Sequence, residues 1–190
     1  NLKPEENYPK TKISEINTLL AGIAETDAAY QSAVKAGDDF LAQKSYDLAK
    51  SEFEKASNLK PEENYPKTKI SEINTLLAGI AETDAAYQSA VKAGDDLLAQ
   101  KSYDQAKSEF EKASNLKPEE NYPKTKISEI NTLLAGIAET DAAYQSAVKA
   151  GDDFLAQKSY DLAKSEFEKA SNLKPEENYP KTKISEINTL

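Results

Sequence analysis

The chain of 190 residues has neither cysteine nor histidine. Disulfides, thiol nucleophiles, imidazole general bases and the usual zinc ligands are therefore missing together. Any catalysis would rest on carboxylates, lysine and tyrosine, so no enzymatic activity, metal or organic cofactor is expected. Long apolar runs are lacking too: nothing approaches the roughly 20 consecutive apolar residues of a membrane-spanning helix, and no membrane insertion is expected. An initiating methionine and a signal-like segment are also lacking, so the chain reads as a segment of a longer protein. With 33 Asp and Glu against 24 basic residues, the formal charge is −9. A polyphosphate backbone would be repelled, which argues against nucleic acid as a partner.

What the chain does have is repetition. The phrase beginning NLKPEENYPKTKISEINTLLAG opens at Asn1 and Asn58 and Asn115, a period of 57 residues, and returns in part at Asn172. Across the three full copies only the columns Phe40/Leu97/Phe154 and Leu48/Gln105/Leu162 vary. Each copy holds seven Lys against ten Asp and Glu, so the negative charge is spread evenly. Apolar residues divided among repeats cannot form one large core, so each unit must stack on its neighbours.

Within a copy, Tyr103, Ala106, Phe110 and Ala113 recur at steps of three and four, with Ser102 placed as N-cap and Asp104 in the first turn. A short helix is expected from Tyr103 to about Leu116, ended by Pro118. The next helix should begin near Tyr122 and Pro123, where proline in the first turn forfeits no hydrogen bond. From Ile70 the stripe Ile70, Ile73, Leu77, Ile80, Asp84, Tyr87, Val91, Gly94 and Leu98 keeps its three-four phase straight through Gly79. That phase predicts one helix from Pro66 to about Gln100, about 50 Å long. The alternative is a three-helix repeat with Gly79 as C-cap and Thr83 as N-cap.

The stretch Ala29–Pro61, AYQSAVKAGDDFLAQKSYDLAKSEFEKASNLKP, resembles the tetratricopeptide repeat, a helical hairpin of about 34 residues. Gly37 and Phe40 match on the first helix, Tyr46 at the turn, then Ala49, Phe53, Ala56 and Pro61. The chain departs from the family at Ala33 and Ala36, where a large aromatic and a leucine are usual. The resemblance implies an all-α helical repeat array in which KTKISEINTLLAG covers the exposed face of each hairpin. Long shared helices then alternate with short ones in an elongated rod. The units would be 1–23 (the N-terminal half of the first long helix), 24–80, 81–137 and 138–190. The phrasing DDFLAQKSYDLAKSEFEKA with LKPEENYPKTKISEI also resembles repeats of Bacteroidetes envelope and surface proteins, which favours a periplasmic or cell-surface setting over a cytoplasmic one.

The resemblance further implies a peptide-binding face on the first helix of each hairpin. The matching residues are Gln31, Val34, Lys35 and Asp38, then Gln88, Val91, Lys92 and Asp95, then Gln145, Val148, Lys149 and Asp152. The family's lysine and asparagine clamp for a C-terminal carboxylate is missing, so a neutral or basic peptide is the better match. The competing reading is that these residues form the solvated face of an amphipathic helix. The acidic pairs Asp38-Asp39 and Glu5-Glu6 lack the oxygen ligands of a calcium loop and read as charged surface. Tyr8, Tyr30 and Tyr46 read as packing residues with wet hydroxyls. Self-association has two routes: lateral pairing along the stripe through Ile80 and Tyr87, and the helix Lys10–Leu20, which lacks a preceding hairpin and leaves Ile13, Ile16 and Leu20 exposed to a hairpin of a neighbouring molecule. The expected function is a non-enzymatic scaffold that binds protein or peptide. The alternatives are a passive spacer in a larger surface or envelope protein and an idealised repeat with no biological ligand.

Overall fold

The computed structural model describes residues 7–189. Among them the chain forms seven α-helices and no strand: α1 (Asn7–Ala42), α2 (Tyr46–Leu59), α3 (Asn64–Ala99), α4 (Tyr103–Leu116), α5 (Tyr122–Ala156), α6 (Tyr160–Leu173) and α7 (Tyr179–Ile187). This is an all-α helical repeat array of long and short helices in alternation.

The long helices run without a break, so the three-helix alternative is set aside. At Gly79 the helix simply continues, and Thr83 turns its hydroxyl back to the Gly79 carbonyl at 2.9 Å instead of capping a new helix. A hydroxyl bonded to the carbonyl four residues back is how a threonine is accommodated inside a helix. The short helix falls where the pattern puts it, but Ser102 corrects one detail. Its side chain makes no capping bond; only its carbonyl acts, accepting the Ala106 amide at 2.9 Å.

The two turns of each repeat have different causes. After α1, Lys44 adopts a left-handed φ of 57°, the Ser45 amide reaches the Phe40 carbonyl at 2.9 Å, and the Lys44 amide reaches that of Leu41 at 3.0 Å. That is a Schellman closure with lysine at the position glycine usually takes. Lys101 and Lys158 repeat it. After α2, the Glu63 amide bonds to the Lys60 carbonyl at 3.1 Å across Pro61, a β-turn with proline in its favoured second place.

The chain divides into two compact units, 1–85 and 86–190. In the first, α1 and α2 form a hairpin on which the beginning of α3 lies. Ala49, Phe53 and Ile73 are fully buried at its centre, ringed by Phe40, Leu41, Tyr46, Ile70 and Leu77. Gly37 has a conformationally plain φ but a packing reason. A Cβ there would stand 2.8 Å from the Phe53 ring, so only glycine lets the ring lie flat on the helix. The second unit repeats this cluster twice, around Phe110 with Ile130 and around Phe167 with Ile187. Both variable columns now have reasons. Leu48 and Leu162 are exposed, as is Gln105, so polarity there is free to change, and Leu97 packs beside the Phe110 cluster where Phe40 and Phe154 pack beside theirs.

Candidate functional site

The twelve residues of the expected peptide face all lie on the C-terminal halves of the long helices. They form three identical groups, and each group is partly engaged within the chain. Gln31, Gln88 and Gln145 are exposed, while Val34, Val91 and Val148 are half-buried. Lys35 donates to Asp39 at 2.6 Å, Lys92 to Asp96 at 2.6 Å and Lys149 to Asp153 at 2.7 Å, each one helical turn on. That bond holds each lysine's pKa above its ordinary value. Asp38, Asp95 and Asp152 accept the hydroxyls of Tyr65, Tyr122 and Tyr179 at 2.8, 2.7 and 2.7 Å. The same tyrosine rings stand edge-on to Phe53, Phe110 and Phe167, with centroids 6.1 to 6.2 Å apart.

This tyrosine therefore fastens the start of one long helix to the end of the preceding one, and the aspartate is its acceptor. Hydrogen bonding to the carboxylate, helped by partial burial, raises the pKa of Tyr65, Tyr122 and Tyr179. The Tyr8 column consequently does more than pack with a wet hydroxyl. The acidic pair Asp38-Asp39 is also spoken for, one carboxylate by Tyr65 and the other by Lys35; Glu5-Glu6 lies outside the described residues. Among the described residues no cluster of acidic side chains is arranged to hold a metal ion, and no helix is long and apolar enough to cross a membrane.

A second polar group closes the other end of each hairpin. Lys60 pairs with Asp27 at 2.7 Å and stands 5.3 Å from the Tyr30 ring centre; Lys174 does the same with Asp141 at 2.6 Å and Tyr144 at 5.2 Å. These cation–π contacts hold the α2–α3 and α6–α7 turns against the middle of a long helix. Burial raises the pKa of Tyr30 and Tyr144.

Beside these anchors lies a feature that periodicity did not reveal. Leu19, Gly22 and Ile23 of α1 with Leu59 and Lys60 line an open groove of about 510 Å³, and Leu133, Gly136, Ile137, Leu173 and Lys174 line one of about 650 Å³ in the second unit. The apolar floor is exposed: Leu133 is 46% and Ile137 44% accessible, and Leu173 38%. Gly22 and Gly136 have nothing within 4 Å of where a Cβ would stand. Lys60 and Lys174 are already paired with Asp27 and Asp141, so the groove offers its leucine and isoleucine side chains with the carboxylate of Glu62 or Glu176 beside them. A sequence signal did exist: Leu19 and Leu20 are adjacent, and two consecutive leucines cannot both point into one helix interface.

The expected lateral stripe is split by the structure. Ile80 is 43% exposed, whereas Tyr87 is half-buried beneath the Lys117 ammonium, 5.3 Å from its ring centre. At the start of α1, Ile13, Ile16 and Leu20 are exposed, as expected.

Compared with known proteins, the chain matches no protein-family model, and no curated protein is similar to it. The class defined by fold and site is the all-α helical repeat array.

Proposed function

We propose that the chain is a non-enzymatic scaffold of tetratricopeptide-like repeats that binds protein through the apolar grooves spaced along it. The observation that carries this reading is the recurrence of accessible leucine and isoleucine in the columns Leu19/Leu76/Leu133 and Ile23/Ile80/Ile137. Exposed apolar surface that recurs in register is what an interaction face needs. The tight packing of Gly37 on Phe53, with Ala49 and Ala56 fully buried, supports the tetratricopeptide likeness of the hairpins. Apolar side chains of a protein segment are the matching ligand chemistry.

A passive spacer in a larger surface or envelope protein is the second reading, favoured by a specific observation. The Lys35 and Asp38 columns spend their hydrogen bonds inside the chain, which leaves less for a ligand on that face.

Selection of a random-peptide display library on the immobilised chain separates the two readings. The scaffold reading expects enriched apolar peptides whose affinity drops at least tenfold on combining Ile23→Glu, Ile80→Glu and Ile137→Glu, and holds on combining Lys35→Glu, Lys92→Glu and Lys149→Glu. Loss on the lysine variant alone would move binding to the first-helix face. No enrichment at all would favour the spacer.

A further inference from the structure

The two grooves have a floor and a rim of different chemistry. On the floor, Leu19 and Ile23 stand one helical turn apart on α1 with Leu59 of α2 across from them, and Leu133, Ile137 and Leu173 repeat the arrangement in the second unit. Neighbouring repeats do not cover these places. Leu76, Ile80 and Leu116, their counterparts in the copy that has another on either side, are 46%, 43% and 39% accessible, against 46%, 44% and 38% for Leu133, Ile137 and Leu173.

At the rim, negative charge is in excess. Asp27, Lys60 and Glu62 line the first groove, and Asp141, Lys174 and Glu176 the second. Each lysine is held by its aspartate, which leaves the glutamate over. Glu63 and Glu177 follow directly in the chain and add a second exposed carboxylate at the same turn. The lysine that reaches this turn from the next helix, Lys67 or Lys181, donates to the carbonyl of Pro61 or Pro175 and not to a glutamate. Among the described residues, none of these four glutamates accepts a side-chain hydrogen bond or pairs with a cation. Their field reaches the tyrosine beside the lysine: burial raises the pKa of Tyr30, and Glu63 and Glu62 push it the same way against Lys60. Tyr144 responds alike to burial and to Glu177 and Glu176.

Resting on the reading of the grooves as the binding surface, we propose that their occupant is an amphipathic helical segment of another protein, apolar on one face and basic beside it. It lays two apolar side chains over Leu19 and Ile23 and sets lysine or arginine against Glu62 and Glu63; Leu133, Ile137, Glu176 and Glu177 receive it in the same way in the second unit. A helix is the matching form, because its apolar residues one turn apart meet floor residues one turn apart. Charge decides between partners. An acidic segment is repelled at the rim, and a second copy of this chain, with 33 acidic residues against 24 basic ones, brings the wrong sign. Exposed ion pairs of this kind are individually weak, so the apolar floor holds the segment and the glutamates select it.

Fluorescence anisotropy of two labelled synthetic helical peptides against the full chain tests this. Both peptides carry the same leucine face, and one has lysine where the other has glutamate at the flanking positions. The lysine peptide is expected to bind at least about fivefold tighter at about 0.05 M salt, with the difference shrinking at about 0.5 M. Combining Glu62→Gln, Glu119→Gln and Glu176→Gln should remove most of that preference. Combining Glu54→Gln, Glu111→Gln and Glu168→Gln should not, although it changes the net charge equally at exposed positions outside the groove linings. Equal binding of the two peptides, or an equal loss in the two glutamine variants, would overturn the basic preference and leave the grooves standing. The grooves themselves fail differently. Combining Ile23→Ser, Ile80→Ser and Ile137→Ser is expected to weaken both peptides by about tenfold. Lysine-peptide binding unchanged in that variant would move the contact off the grooves, and no binding of either peptide up to millimolar concentration would overturn both readings.

Discussion

Residues 13–20 and 70–77 are the same eight residues in the same helical conformation, yet Ile16 is 54% accessible and Ile73 is at 0%. The apolar spacing fixes the helix and the face it offers. Whether that face is buried depends on the presence of an α1/α2-type hairpin against it. In an array of this kind stability belongs to the junctions between neighbouring elements as much as to the elements, so a residue's worth must be read from its partner hairpin.

The sharpest way to break the comparison is truncation of the two isoleucines. Ile73→Ala is expected to destabilise by about 2–5 kcal/mol, and Ile16→Ala in the single chain by less than about 0.5 kcal/mol. Urea unfolding followed by circular dichroism measures both, and equal losses would show that α1 is covered after all. Next come the glycines. Gly94→Ala drives a Cβ to 2.8 Å from the Phe110 ring and is expected to cost about 1–3 kcal/mol. Gly79→Ala meets nothing within 4 Å and should instead stabilise by about 0.5–1 kcal/mol, visible as a higher melting temperature. Third, Lys101 sits at a left-handed φ of 59°, so Lys101→Gly should stabilise by up to about 1 kcal/mol, the reverse of the usual penalty for glycine.

The smallest effect is a pH dependence. Tyr65, Tyr122 and Tyr179 have pKa values raised in the folded chain, first by their bonds to Asp38, Asp95 and Asp152. Their protonated forms are favoured by folding, so this stabilisation is fully present below the ordinary tyrosine pKa near 10 and is lost as pH rises through the higher folded value. Lys35, Lys92 and Lys149, raised by their aspartate partners, lose stabilisation in the same direction above the ordinary lysine value. Replacing the three tyrosines by phenylalanine should cost only about 0.5 kcal/mol each at neutral pH and flatten the alkaline decline in a melting series. An unchanged alkaline slope would remove the tyrosines as its cause.

Much of the fold was legible because it rests on local chemistry. The unbroken phase of Ile73, Leu77, Ile80 and Asp84 gave the continuous long helix, and Pro118 and Pro123 gave the end of α4 and the start of α5. The Tyr65 to Asp38 bond was not legible, since its partners lie 27 residues apart on different helices and no periodicity links them. The left-handed Lys44 was hidden for a related reason: lysine is an ordinary residue in that place until the Schellman bonds are seen to require a positive φ. For the site, the first-helix face was expected from resemblance alone, and its lysines and aspartates make hydrogen bonds within the chain. The grooves escaped because Leu19 and Leu59 lie off the apolar stripe, one beside it and one at the end of a short helix.

The small clusters around Phe53, Phe110 and Phe167 carry a kinetic consequence. Every member of the first lies between Phe40 and Leu77, and every member of the second between Leu97 and Leu134. Closing such a cluster demands only a short excursion of chain, and contacts of this range are those that form in microseconds to milliseconds. Folding can start at any hairpin and spread to the next, so the chain should reach its native state by several equivalent routes with no obligatory nucleus.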